Sequence, residues 1–120
     1  MDTRSCVQEM TRMMTALDVI LALDRFYHKD IEVSAIGQEE RIRTGKAAGS
    51  SGVHNWFTNC TLHAVHVEFQ AIDGDNAAVE LLVDSTPNGQ DRRLERLVML
   101  QIWKDGKIIR MTNYSKRVTG

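Results

Sequence analysis

The order of elements in this chain predicts an α+β fold, a long curved antiparallel sheet wrapped around N-terminal helices to make a cone with one open end. Three observations carry that prediction. Val7, Met10, Met13, Met14 and Leu17 recur at three- and four-residue spacing, the period of one helix face. From Leu62 onward, apolar and polar residues alternate with a period of two, in runs broken by turn residues. The last two runs meet at Asp105-Gly106, a pair that accepts positive φ at both central positions of a tight hairpin. Helices first and strands afterwards is the α+β pattern, and the 120 residues form a single domain, 1–120.

The elements follow in order. Thr3 to Leu17 reads as a helix whose methionines fill its core-facing side. Asp18 can cap a second helix with Ile20, Leu21, Leu23, Phe26 and Tyr27 on a broad apolar face, although one bent helix fits the same pattern. Asp30 to Ala35 is a short strand, and Gly37 to Arg43 a charged connection. Gly45 to Asn59 is the least regular stretch, because Gly49, Ser50, Ser51 and Gly52 weaken a helix there. Leu62 to Ala71 is a strand, Asp73-Gly74-Asp75 a turn, Asn76 to Asp84 a strand, and Thr86-Pro87-Asn88-Gly89 a loop. Arg92 to Trp103 and Lys107 to Ser115 close the sheet as a hairpin.

Composition excludes several functions. The net charge of −1 gives no field for nucleic acid or an acidic membrane surface. Val19 to Leu23, the longest apolar run, is too short to span a bilayer. The first residues lack a basic segment followed by an apolar one, so no secretory signal is expected. Cys6 and Cys60 have neither metal nor redox spacing and read as thiols of a reduced, cytoplasmic protein. His63 and His66 fall on opposite faces of a strand, so they cannot share a metal, and no metal or cofactor is expected. The nucleophile elbow and the phosphate-binding loop are both missing from the sequence.

The hairpin offers two surfaces. Direct pairing across Asp105-Gly106 sets Ile102 opposite Ile109, Leu100 opposite Met111, Val98 opposite Asn113 and Arg96 opposite Ser115. This apolar face, with Arg96 and Asn113 set into it, is the expected wall of a pocket. Leu97, Met99, Trp103 and Tyr114 then fall on the outside, too apolar for open solvent and suited to a homodimer.

The motifs and their order resemble the nuclear transport factor 2-like superfamily, a cystatin-like α+β roll, and within it the SnoaL-like (polyketide-cyclase-like) branch. The resemblance rests on Ala16-Leu17-Asp18, Phe26-Tyr27-His28-Lys29-Asp30-Ile31, Thr44-Gly45-Lys46-Ala47, Asp73-Gly74-Asp75 before Ala77-Ala78-Val79-Glu80, and Trp103-Lys104-Asp105-Gly106-Lys107-Ile108 with Tyr114. It implies an apolar pocket inside the cone and dimers through the outer sheet face. Steroid isomerases of this superfamily place a Tyr, an Asp base and an acid where this chain has Thr11, Ala35 and Val98, which argues against that reaction. The Asp-Arg-Asp set of its epoxide hydrolases has no matching local motif here.

The candidate chemistry follows from strand facing. Glu80 and Asp84 share a face with Ala78 and Leu82; turned into the cone they would act as general acid or base. The alternative turns Val79, Leu81 and Val83 inward, and this is the cleaner alternation, whereas the resemblance favours the acids inside. Arg96 would hold charge against one of the acids or orient an anion, or lie solvated at the rim. Tyr27, Trp56, Phe57, Val98, Leu100, Met111 and Asn113 would line the pocket, with Asn113 orienting a carbonyl or hydroxyl and His54 a further candidate. The expected function is binding of a small apolar oxygenated molecule, with cofactor-free isomerase, cyclase, dehydratase or hydrolase chemistry by Glu80, Asp84 and Arg96. The alternative is a non-catalytic ligand-binding or dimeric interaction module.

Overall fold

The computed structural model describes residues 2–36, 41–44 and 58–119. Two helices, α1 (Thr3–Thr15) and α2 (Val19–Phe26), precede six strands: β1 (Tyr27–Ile36), β2 (Arg41–Thr44), β3 (Cys60–Asp73), β4 (Asn76–Pro87), β5 (Arg93–Lys104) and β6 (Lys107–Thr119). They form one curved sheet in the order β2-β1-β6-β5-β4-β3. The expected all-antiparallel sheet is corrected at one seam, where β1 runs parallel to β6. The chain enters β1 directly from α2, so the strand starts at Tyr27 rather than Asp30. Part of the expected charged connection pairs as β2. No described helix is long and apolar enough to cross a membrane.

Helix α1 starts where Asp2 accepts a hydrogen bond from the Ser5 amide at 2.8 Å. It buries Cys6, Val7, Met10, Thr11 and Met14. At its other end the Leu17 amide bonds the Met14 carbonyl (3.0 Å) and the Asp18 amide bonds Met13 (2.9 Å), the paired closure that normally uses glycine. Leu17 instead takes φ 69° with its side chain 42% exposed. A left-handed non-glycine residue costs roughly 1–2 kcal/mol, partly offset by glycine's greater freedom in the unfolded chain. Leu17→Gly is therefore expected to stabilise the fold by about 0.5 kcal/mol, read as a higher urea midpoint with unchanged slope.

Helix α2 buries Val19, Ala22, Leu23 and Phe26 against the sheet. The Lys107 ammonium donates to the Arg25 carbonyl at 2.5 Å, supplying a cation to the helix C-terminus. Beneath α2 lies Trp103, its ring 5.6 Å from that of Phe26 and inclined at 65°. Trp103 Nε1 donates to Gln101 Oε1 at 3.0 Å, and Gln101 Nε2 reaches Met10 Sδ at 3.6 Å. The buried amide of Gln101 is thus held by an indole and a thioether.

The closing hairpin turns as its sequence requires, with Asp105 at φ 51° and Gly106 at φ 78°. Lys104 pairs Lys107 and Trp103 pairs Ile108. A bulge follows between Ile102 and Trp103, so that Ile102 faces Arg110. Shifting register by one residue exchanges the faces of one strand relative to the other. Below the bulge Gln101 pairs Met111, Met99 pairs Asn113 and Leu97 pairs Ser115.

Candidate ligand-binding site

The face turned toward the helices is built from aligned rows. Val79 of β4, Met99 of β5 and Asn113 of β6 form one; Leu81, Leu97 and Ser115 the next; Val83, Glu95 and Arg117 the third; Ser85 and Arg93 the last. Moving away from the Asp105-Gly106 turn, these rows change from apolar to polar. Val79, Leu81, Val83 and Met99 are buried. Beyond them sit a hydroxyl, a guanidinium and a carboxylate, placed on the same face by the period of two.

These polar groups are poorly satisfied. Ser85 is 0% exposed. Its Oγ, Glu95 Oε1, Arg93 Nε and Asn113 Oδ1 are buried without a hydrogen-bond partner among the described residues. Arg93 Nε lies 2.7 Å from Glu95 Oε1, an ion pair by distance in which the N–H is not aimed at the oxygen. Cys60 borders the pair. Burial raises its thiol pKa, the Glu95 charge adds to this and Arg93 opposes it, so the thiol stays protonated near neutral pH and is a poor nucleophile.

Tyr27, expected in the pocket, is buried in the core, and its hydroxyl donates to Met111 Sδ at 3.9 Å. Burial pushes its pKa up to about 12, so it remains a neutral phenol. Met111 is buried beside it, and Asn113 faces inward from β6. Val98 and Leu100, also expected in the pocket, lie on the opposite face with Arg96: the bulge turned Met111 and Asn113 in and left their presumed partners outside. Trp56, Phe57 and His54 lie outside the described residues.

The proposed catalytic trio is corrected in the same way. Glu80 pairs Arg96 at 2.6 Å, as one reading of Arg96 anticipated, but on the outer face of the sheet. Asp84 is gripped by Arg92 Nε and Nη2 at 2.9 and 2.8 Å. That contact lowers the Asp84 pKa, the reverse of the shift a neutral-pH general acid needs. His63 and His66 are not on opposite faces either. A bulge between Leu62 and Ala64 brings His63 Nε2 to 2.7 Å from Thr86 Oγ1, on the outer side, where both imidazoles contribute to lowering Asp84.

Of the residues expected on the dimer surface, Leu97, Met99 and Trp103 face the helices, and Tyr114 lies outside. The outer face is nonetheless apolar. Phe69 is 56% and Leu100 51% exposed, and Tyr114 is exposed beside them. Beside Leu100 runs a groove of about 470 Å³ whose lining includes Ala71, Ala78, Ile102, Arg110 and Thr112.

Sequence reasoning missed Arg93 and Glu95. A signal for both was present. They share parity with Trp103, the side chain most costly to leave in water, and fixing the strand on Trp103 turns them inward.

Two helices folded under a curved sheet, with polar side chains sunk into its inner face, define a cone-type α+β domain. The chain belongs to the SnoaL-like domain family, whose model matches residues 7–111. Solved structures share the fold. A Mesorhizobium loti protein whose name proposes a SnoaL-like polyketide cyclase is 24% identical, with TM-score 0.84 over 95% of this chain and 99% of its own. A nuclear transport factor 2-like protein of unknown function from Burkholderia xenovorans is 16% identical, with TM-score 0.77 over 98% and 85%. An M. tuberculosis epoxide hydrolase is 14% identical, with TM-score 0.72 over 95% and 82%. At these identities the likeness is one of fold. No curated protein matches the chain.

Proposed function

We propose that the inner face of the cone binds a small, largely apolar molecule carrying oxygen functions. The supporting observation is the unsatisfied set of Ser85, Arg93, Glu95 and Asn113 on that face. Each buried polar atom without a partner costs about 1–3 kcal/mol, and a ligand that completes them recovers that cost on binding. Leu81, Leu97 and Met99 supply apolar wall between the polar rows. Acid–base chemistry, in this reading, passes from Glu80 and Asp84 to Glu95, the carboxylate seated among the inner rows. The cyclase and epoxide hydrolase names carried by proteins of this fold favour small oxygenated substrates. In this reading the protein works in a reducing, cytoplasmic location, where Cys6 and Cys60 remain thiols.

Native mass spectrometry of the purified chain tests the binding reading. A co-purifying molecule is expected above the 13.6 kDa protein mass, released on denaturation and missing from Leu97→Trp, which fills the cone. Retention of that molecule by Leu97→Trp would place it elsewhere and overturn the reading.

A second reading, independent of the first, is a homodimer through the outer sheet face. Phe69, Leu100 and Tyr114 support it, since all three leave large apolar side chains exposed on that one face.

A further inference from the structure

The unsatisfied atoms of the inner face are not balanced between donors and acceptors. Glu95 Oε1 and Asn113 Oδ1 are acceptors, and Ser85 Oγ accepts as readily as it donates. The unsatisfied donors are the Ser85 hydroxyl, which can equally accept, and Arg93 Nε, which already lies 2.7 Å from Glu95 Oε1 and needs only a small rotation to bond it. Once that pair closes, the surplus is Ser85 Oγ and Asn113 Oδ1. An anionic ligand would have to draw Arg93 away from Glu95 and would meet the carboxylate itself. Arg117, across from Glu95 on β6, is already engaged.

We infer that the ligand of the cone is a hydrogen-bond donor, a hydroxyl- or amine-bearing apolar molecule, rather than an anion; a lone carbonyl would meet the Ser85 hydroxyl but leave Asn113 Oδ1 unsatisfied. The inference rests on the cone being the binding site. Asn113 and Ser85 also set the spacing. Asn113 stands in the Met99 row and Ser85 three rows farther along, six residues of strand, with Leu81, Leu97 and Val83 between. At ~3.4 Å per residue the two are roughly 20 Å apart along the strands, so a small ligand meets one of them.

Isothermal calorimetry on the full chain at neutral pH, with 2-naphthol, 2-methoxynaphthalene and 2-naphthoate, separates the outcomes. The three share one apolar frame and carry a donor, an acceptor alone and an anion. Expected is 2-naphthol binding about tenfold or more tighter than either of the others, the scale of one hydrogen bond to a buried acceptor. Ser85→Ala combined with Asn113→Leu should shrink that advantage while leaving 2-methoxynaphthalene affinity nearly unchanged. Equal affinities for the three, with binding lost in Leu97→Trp, overturn the donor inference and leave the cone reading standing. Tightest binding by 2-naphthoate overturns it in favour of an anion held by arginine. Binding that survives Leu97→Trp, or no saturable binding by any of the three, removes the cone reading and this inference with it.

Discussion

Trp103→Ala is expected to lower stability by about 3–5 kcal/mol, a large share of what a domain of this size possesses. Trp103 is 1% exposed. A buried indole removes roughly 200 Å² from water, worth about 5 kcal/mol at 25 cal/mol per Å² as an upper figure. Truncation also deletes the edge-on contact with Phe26 and strips Gln101 Oε1 of its donor inside the core. Trp103→Phe separates the two contributions. It keeps most of the apolar contact but orphans the Gln101 amide, so its cost should fall near 1–3 kcal/mol. Trp103→Phe combined with Gln101→Leu should recover part of that loss, because removing both partners leaves nothing buried and unpaired. Urea unfolding monitored by far-UV circular dichroism reads all three. A cost below about 1 kcal/mol for Trp103→Ala would place the indole outside the core and reverse the facing of β5.

The facing of β5 was the part of the fold least legible in the sequence, for a physical reason. Leu94, Val98, Leu100 and Ile102 alternate with Leu97, Met99, Gln101 and Trp103, so both sides of the strand are apolar and a period of two cannot choose between them. The turn was legible, because only a few residue pairs accept the left-handed angles of Asp105 and Gly106. The bulge after it was not. Nothing in Ile108-Ile109-Arg110 marks an extra residue, yet the bulge decides which side chains share a face. Where one face was cleaner, pattern was sufficient: Val79, Leu81 and Val83 of β4 are buried as their alternation indicates, and the family register that favoured Glu80 and Asp84 inside was the weaker guide. The first helix was legible from its methionine stripe. Inverting β5 moved the candidate site from Arg96, Val98 and Leu100 to Arg93 and Glu95, while Asn113 kept its inward place from the other side of the hairpin.

Leu100→Glu is expected to convert a dimer into a monomer with little effect on the fold of each chain. Leu100 stands midway along the outer row Ala71, Ala78, Leu100, Thr112 and Ser34, next to the row holding Phe69, Val98 and Tyr114. Its side chain is half exposed, so in a lone chain a carboxylate there stays in water, and the change in monomer stability should remain within about 0.5 kcal/mol. In a dimer closed over this face the same carboxylate is pressed against apolar surface, and the cation lining the same groove, Arg110, already faces Glu32 at 4.0 Å. Burying an unpaired charge costs several kcal/mol, which raises the dissociation constant about 100-fold or more. Sedimentation velocity at micromolar concentration should show wild type at twice the 13.6 kDa chain mass and Leu100→Glu at once that mass. Leu21→Glu is the matched control, since Leu21 is more exposed than Leu100 but sits on α2, away from the sheet's outer face. It should leave the dimer intact. Wild type sedimenting as a monomer would sink the dimer reading outright. Loss of the dimer in Leu21→Glu but not in Leu100→Glu would move the interface to the helices, and the outer groove over Ala71 and Ala78 would then need another occupant.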